Sequence, residues 1–322
     1  MTQVAILDDY QHVAQEYGDW SLLPADSSLT YFHDHLADEV ALAERLRDFE
    51  VVVAMRERTP FPASLLARLP NLRLLVTTGM RNASIDVDAA ARQGVTVAGT
   101  DGVGTSTPEL TWALILAVVR HVPAEDANVR AGGWQQTVGF DLAGKRLGVL
   151  GLGRIGTQVA RVGQAFGMEV SAWSQNLTAE AAAEVGVTRV EKDRLFAESD
   201  VLTIHLVLSE RTRGLVTAAD LARMRPTAYL VNTSRGPIVD EAALVRALRE
   251  GAIAGAGLDV YDTEPLPPDH PFRTLPNTVV TPHLGYVTDR AYRIFYGQAA
   301  EDIAGFLGGQ PVRVLRAPDP AS

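Results

Sequence analysis

Cysteine is absent from the whole chain, which excludes disulfides, thiolate catalysis, iron–sulfur ligation and cysteine-based zinc sites. Long hydrophobic runs are missing too. The longest strongly apolar stretch, Trp112 to Val119, ends at Arg120, far short of the roughly 20 residues of a bilayer span, so no membrane association is expected. Between Met1 and Tyr10 no basic segment precedes an apolar one, so the expectation is a cytoplasmic protein without a secretory leader. Basic charge is in deficit: 29 Lys and Arg face 39 Asp and Glu, a net charge of -10, which disfavours nonspecific binding to nucleic acid. No His, Asp and Glu stand at metal-ligand spacing, and no metal is expected.

What is present is ample material for a core. Hydrophobic residues make up 47% of the 322, and at about 150 residues per domain that length predicts two domains. The apolar period alternates between strand and helix. Short apolar runs over 4–7, 50–54, 72–76 and 95–97 read as strands, separated by helical spacing over 38–49, 63–69 and 87–93. After a long helical stretch over 108–120 a second series begins. Its strands are expected at 146–150, 169–173, 201–205, 228–232, 255–260 and 279–281, with helices over 154–166 and 241–250 among the connections. A last helix over 291–307 is too short to be a domain and is expected to pack on one of the two sheets. Such alternation predicts α/β architecture, with βαβ units and parallel sheets.

Gly151, Gly153 and Gly156 form a G-x-G-x-x-G pattern directly after an apolar strand and directly before a helix. In that context the pattern points to dinucleotide binding. One glycine permits the turn, one lets a pyrophosphate approach the backbone, and one lets the helix pack close. The helix N-terminus, at Arg154 and Ile155, supplies N–H groups for the phosphates. The next strand ends in Ser174, Gln175 and Asn176, with no carboxylate to bind the ribose hydroxyls. A 2′-phosphate would meet no repulsion there, but no arginine follows immediately to hold it. The cofactor is therefore read as NAD(P)H with a slight lean to NADP(H), and a turn indifferent to the ribose stays open.

Three later segments place polar residues after expected strands: one around Arg235, one from Asp259 to Glu264, and Thr281-Pro282-His283. An arginine, a carboxylate and a histidine so placed suit hydride transfer to a keto acid. The arginine holds the substrate carboxylate, and the histidine exchanges a proton with the carbonyl oxygen.

With these residues in view, the stretch 151–288 resembles the D-isomer-specific 2-hydroxyacid dehydrogenases. The matching pieces are the glycine loop, 199–206, 231–240, and the spaced Asp259, Glu264, His270-Pro271 and Thr281-Pro282-His283. The resemblance implies Arg235 as carboxylate anchor, His283 as acid/base and Glu264 as its partner. It implies cofactor contacts from Asp259, beside the nicotinamide carboxamide, and from Thr233. His205 matches a position near the cofactor but is followed by Leu206-Val207 instead of the usual Leu-Pro, and it is read as structural or cofactor-lining, not catalytic. The segment 77–86 resembles the loop that lends backbone N–H groups to the substrate, which would involve Gly79, Met80 and Arg81. Arg81 replaces a glycine usual there, and both an inward and a solvated position remain open for its side chain. The resemblance further implies a substrate domain over 1–100 and 289–322, a Rossmann domain over 101–288 inserted within it, and a homodimer.

Arg56, Arg58 and Arg81 make the first-domain loops electropositive, which favours a small polar or anionic acid such as glyoxylate, hydroxypyruvate or a phosphorylated relative. The rival reading is a catalytically silent NAD(H)-sensing binding protein of the same fold. Intact Arg235, Glu264 and His283 argue against it.

Overall fold

The computed structural model describes residues 1–318. Along them run β1 (Gln3–Ile6), β2 (Ser28–Tyr31), β3 (Val51–Ala54), β4 (Leu74–Thr77), β5 (Thr96–Gly99), β6 (Arg146–Leu150), β7 (Glu169–Trp173), β8 (Thr188–Arg189), β9 (Val201–Ile204), β10 (Tyr229–Asn232), β11 (Gly255–Leu258), β12 (Thr278–Val280) and β13 (Val314–Arg316). Contacts divide the chain into two compact units. One is Met1–Val103 joined by the chain from Thr288 onward, and the other is Gly104–Val287. No helix among the described residues is long and apolar enough to cross a membrane.

The first unit holds a six-stranded sheet in the order β13-β5-β4-β3-β1-β2. Every residue of β3 and β4 is buried, as strands covered on both faces require. The helix Asp289–Leu307 buries Tyr292, Phe295, Tyr296, Ala299, Ala300 and Ile303, a stripe at three- and four-residue spacing that packs it into this unit. Two strands at the sheet's edges are not expected from the apolar pattern. β2 is only half-buried along its length, and the polar Ser28 and Thr30 break up its apolar signal. β13 adds to β5 antiparallel, so the sheet is parallel except at that edge.

The second unit holds a seven-stranded sheet, β12-β11-β10-β9-β6-β7-β8, in which all pairings are parallel. One face is covered by residues such as Phe196, Leu221, Leu244 and Leu248, the other by Trp112, Ile115, Val119 and Val159. Because the strands run one way, every loop after a strand's carboxyl end emerges on the same sheet edge. Strand order reverses between β6 and β9, where crossovers lead off to opposite sides and leave a crevice.

Element boundaries depart from the expected ones for local reasons. The helix Ser106–Val119 starts ahead of Pro108, since a proline in the first turn forfeits no intrahelical bond. β11 ends at Leu258, so Asp259 and Val260 belong to the following loop rather than to the strand. β9 likewise ends at Ile204, which puts His205 in a loop.

Candidate active site

The glycine loop leaves β6 through Gly151, whose φ of +105° lies in the left-handed region that glycine tolerates. A Cβ on Gly156 would lie 2.0 Å from the Gly151 carbonyl oxygen, so the helix Arg154–Ala165 packs directly on the loop it follows. Above Gly153 the opposite holds: it is exposed, and nothing lies within 4 Å of an added Cβ. Arg154 is exposed and Ile155 half-buried at the start of that helix. A tight turn, an open approach and a helix N-terminus in line with it fit the pyrophosphate of a dinucleotide.

Around this loop the neighbouring strands place the other cofactor candidates. After β7, the Leu177 N–H closes a turn on the Ser174 carbonyl at 3.1 Å, with Gln175 and Asn176 exposed. His205 donates its N–H to the Leu150 carbonyl at 2.8 Å, and its Nε2 lies 2.9 Å from the Thr203 hydroxyl. Burial pushes its pKa down to about 3, so the ring is neutral. Thr233 is buried, with its hydroxyl 2.7 Å from that of Thr111.

Arg235, Glu264 and His283 follow β10, β11 and β12, three adjacent strands. The Arg235 loop is shaped by Asn232, whose Oδ1 accepts the Ser234 N–H and whose Nδ2 donates to the Arg235 carbonyl, both at 3.0 Å. The Ser234 hydroxyl donates to the Leu206 carbonyl. The Arg235 Nη1 donates to the Ser234 carbonyl at 2.7 Å. A Cβ on Gly236 would lie 2.0 Å from the Tyr261 carbonyl carbon, so this loop rests directly on the backbone leading to Glu264.

Nδ1 of His283 lies 2.6 Å from Oε2 of Glu264, and the other carboxylate oxygen accepts the Tyr261 N–H at 3.0 Å. The histidine loop has a second anchor. Asp259 is fully buried and accepts from the Thr281 hydroxyl at 2.6 Å, the Leu284 N–H at 2.7 Å and the Gly285 N–H at 2.9 Å. Burial raises its carboxyl above the ordinary range, against the pull of those donors and of His283. The Thr107 hydroxyl adds a bond to the Gly285 carbonyl at 2.9 Å. Tyr286 meets the imidazole edge-on, with ring centroids 5.6 Å apart.

In the first unit Gly79 has a φ of +106° and donates its N–H to the Thr100 hydroxyl at 2.9 Å, which occupies a donor expected to face substrate. Met80 and Arg81 beside it are exposed. Sequence reasoning missed how Arg56 is tied to this loop. Its N–H donates to the Thr78 hydroxyl at 2.8 Å, and its Nη1 to the Thr78 carbonyl at 3.1 Å. Asn82 closes the link by donating to the Arg56 carbonyl at 2.6 Å. The polar pair Thr78 and Asn82 was the only sign of it. Among the described residues no group of three or more His, Asp or Glu is arranged to hold a metal ion.

Comparison with known proteins matches residues 112–285 to the family model described as D-isomer specific 2-hydroxyacid dehydrogenase, NAD binding domain. A glyoxylate reductase of Aeropyrum pernix is 43% identical over 256 residues, 76% of this chain and 76% of that protein. A D-3-phosphoglycerate dehydrogenase of Archaeoglobus fulgidus is 38% identical over 275 residues, 84% of this chain but 52% of that longer protein. Among solved structures, a phosphoglycerate oxidoreductase from Vibrio cholerae superposes with a TM-score of 0.91 at 41% identity, covering 96% of this chain and 100% of that one.

Proposed function

The chain belongs to the D-isomer-specific 2-hydroxyacid dehydrogenase family, a family of NAD-dependent oxidoreductases, and we propose that it interconverts a small polar or anionic 2-keto acid with its D-2-hydroxy acid. The bound nicotinamide supplies or accepts the hydride. Arg235 takes the substrate carboxylate as a charge-assisted pair. With Nδ1 of His283 turned to Glu264, Nε2 exchanges the proton with the substrate's carbonyl oxygen. Glu264 fixes that tautomer and stabilises the imidazolium. Asp259 holds the histidine loop through its three accepted bonds and would lie beside the carboxamide of a bound nicotinamide.

Gly151, Gly153, Arg154, Ile155 and Gly156 cradle the pyrophosphate, with His205 and Thr233 lining the cofactor site. Ser174, Gln175 and Asn176 meet the ribose, with a lean to NADP(H). Gly79, Met80 and Arg81 hold the acid, Gly79 through its turn rather than its own N–H. In this assignment the Rossmann unit binds cofactor, the first unit binds substrate, and the protein works as a homodimer.

The observation that carries the reading is the 2.6 Å His283–Glu264 pair on the same sheet edge as the open glycine loop. The test is oxidation of NADH and of NADPH against a panel of 2-keto acids, with the variants His283→Gln and Arg235→Ala. Loss of a general acid lowers turnover by roughly 10²–10⁴ while cofactor binding survives. Arg235→Ala weakens keto-acid binding and lowers turnover through loss of about 1.5–3 kcal/mol of charge-assisted bonding. Wild-type kinetics in both variants overturns the assignment. Cofactor binding without turnover of any panel member moves the weight to a nucleotide-sensing protein.

A further inference from the structure

We propose that Arg189 selects the cofactor by taking a phosphate on the ribose 2′ position, and that Glu191 weakens this preference by competing for the same guanidinium. The proposal rests on the reading that the Rossmann unit binds a nicotinamide dinucleotide.

Nothing next to Ser174, Gln175 and Asn176 in the chain is basic, yet the fold brings a cation to them. β8 pairs in parallel with β7, with Arg189 opposite Ala172, so Arg189 stands at the carboxyl end of the neighbouring strand. Its Nε donates to the Leu177 carbonyl at 3.2 Å, and Leu177 is the residue whose N–H closes the turn on Ser174. The guanidinium therefore lies against the turn where a dinucleotide's ribose sits in this fold.

The electrostatics are poised rather than saturated. Nη1 donates to Oε1 of Glu191 at 2.6 Å, which with the Nε bond leaves three of the five N–H donors uncommitted. The Arg189 side chain is 33% exposed and that of Glu191 71%, so the pair faces water and is screened by it. A dianionic phosphate offers three acceptor oxygens and more charge than one carboxylate, and it matches the fork of an arginine. The turn itself contributes the Ser174 hydroxyl and the Gln175 and Asn176 amides, with no carboxylate. The next acid along the chain, Glu180, is exposed in the first turn of a short helix, where hydrogen bonds from its own N–H and the Thr178 hydroxyl hold its pKa down.

Calorimetric titration of the full chain with 2′,5′-ADP and with 5′-AMP tests this without reference to turnover. The wild type is expected to bind 2′,5′-ADP more tightly than 5′-AMP. Arg189→Ala should weaken 2′,5′-ADP at least tenfold and leave 5′-AMP unchanged. Glu191→Gln should tighten 2′,5′-ADP several-fold, again without effect on 5′-AMP. A merely structural arginine does not produce opposite shifts confined to one nucleotide. Arg189→Lys, which keeps the charge and loses the fork, should fall between wild type and alanine, and it serves where the alanine variant fails to fold.

Equal effects on both nucleotides, or no preference for 2′,5′-ADP in the wild type, overturns the proposal alone. Failure of the wild type to bind either nucleotide overturns the cofactor reading with it.

Discussion

Glu264 is itself held before it holds His283: its Oε1 accepts the Tyr261 N–H at 3.0 Å while its Oε2 meets His283 Nδ1 at 2.6 Å. A glutamine can keep one of these bonds but carries no charge to set against an imidazolium. Glu264→Gln is therefore expected to lower kcat, by less than His283→Gln does, and to leave NADH affinity unchanged. Steady-state kinetics beside a fluorescence titration of NADH checks both halves. Unchanged kcat would remove Glu264 from the proton-transfer machinery.

Gly236 is expected to tolerate no side chain. An added Cβ, 2.0 Å from the Tyr261 carbonyl carbon, meets backbone that cannot swing away. Overpacking of this kind costs about 1–3 kcal/mol. Gly236→Ala should lower the melting temperature and also lower turnover, since it pushes apart the loops of Arg235 and Glu264. Thermal denaturation and initial rates on the same preparation decide it, and a variant with wild-type values in both would contradict the contact.

Asp302 gives the first unit a pH dependence of its own. It is buried on the helix Asp289–Leu307, with Oδ1 accepting from Arg313 Nε at 2.9 Å and Oδ2 lacking a hydrogen-bond partner among the described residues. Burial raises its pKa from the ordinary 3.8 to about 7, outweighing the pull of Arg313. The folded chain thus binds this proton more readily than the unfolded one, and this contribution to stability falls as pH climbs from about 4 to about 7. Asp302→Asn should lose that slope. The comparison is the melting temperature of wild type minus variant across this range, and a flat difference refutes the assignment.

The proposed homodimer predicts a particular contact surface. Val122 and Val129 are 53% and 52% exposed on the helix Val122–Arg130, and Trp134 and Val138 are 75% and 93% exposed in the segment after it. Glu125 ties that segment to the helix by accepting the Gln136 and Thr137 N–H groups at 2.9 and 2.6 Å. The preceding helix Ser106–Val119, apolar enough for the same role, instead spends Trp112, Leu114, Ile115, Val118 and Val119 on its own core. Light scattering should give twice the 34.7 kDa chain mass. Trp134→Ser with Val138→Asp should shift it towards one chain mass, whereas an unaltered dimer would place the interface elsewhere.

The α/β class was legible in the sequence because buried parallel strands such as Val51–Ala54 and Leu147–Leu150 leave unbroken apolar runs, and helices between them leave stripes. β2, β8 and β13 were not: each lies at a sheet edge and none has a fully buried residue, and β8 is only the two residues Thr188–Arg189, whereas the edge strand β12 still showed as the apolar pair Val279 and Val280. The parallel sheet also explains why candidate residues could be picked by their place after strands: such places share one edge whatever their separation in sequence. Partnerships across that edge were less visible. Asp259 was read only as a cofactor contact, because nothing in the chain order says that a carboxylate after β11 accepts from Leu284 and Gly285 after β12. Arg56 was seen as charge, not as a support for Thr78, since the two meet only across β3 and β4. Side-chain pairing between loops is a property of register, and register is set by packing rather than by local pattern.

The split of the first unit into two segments sets a timetable during synthesis. Residues Gly104–Val287 form one uninterrupted unit, able to close once Val287 has left the ribosome. The older unit cannot close then. β4 still lacks the helix Asp289–Leu307, β5 lacks β13, and the Asp101 N–H lacks Gln298, its acceptor at 2.6 Å. The half of the molecule begun first therefore waits with apolar residues and a strand edge uncovered until its own returning segment, Asp289 to Arg316, has followed the completed second unit. Nascent chains stalled between residues 288 and 316 are the species most in need of a chaperone.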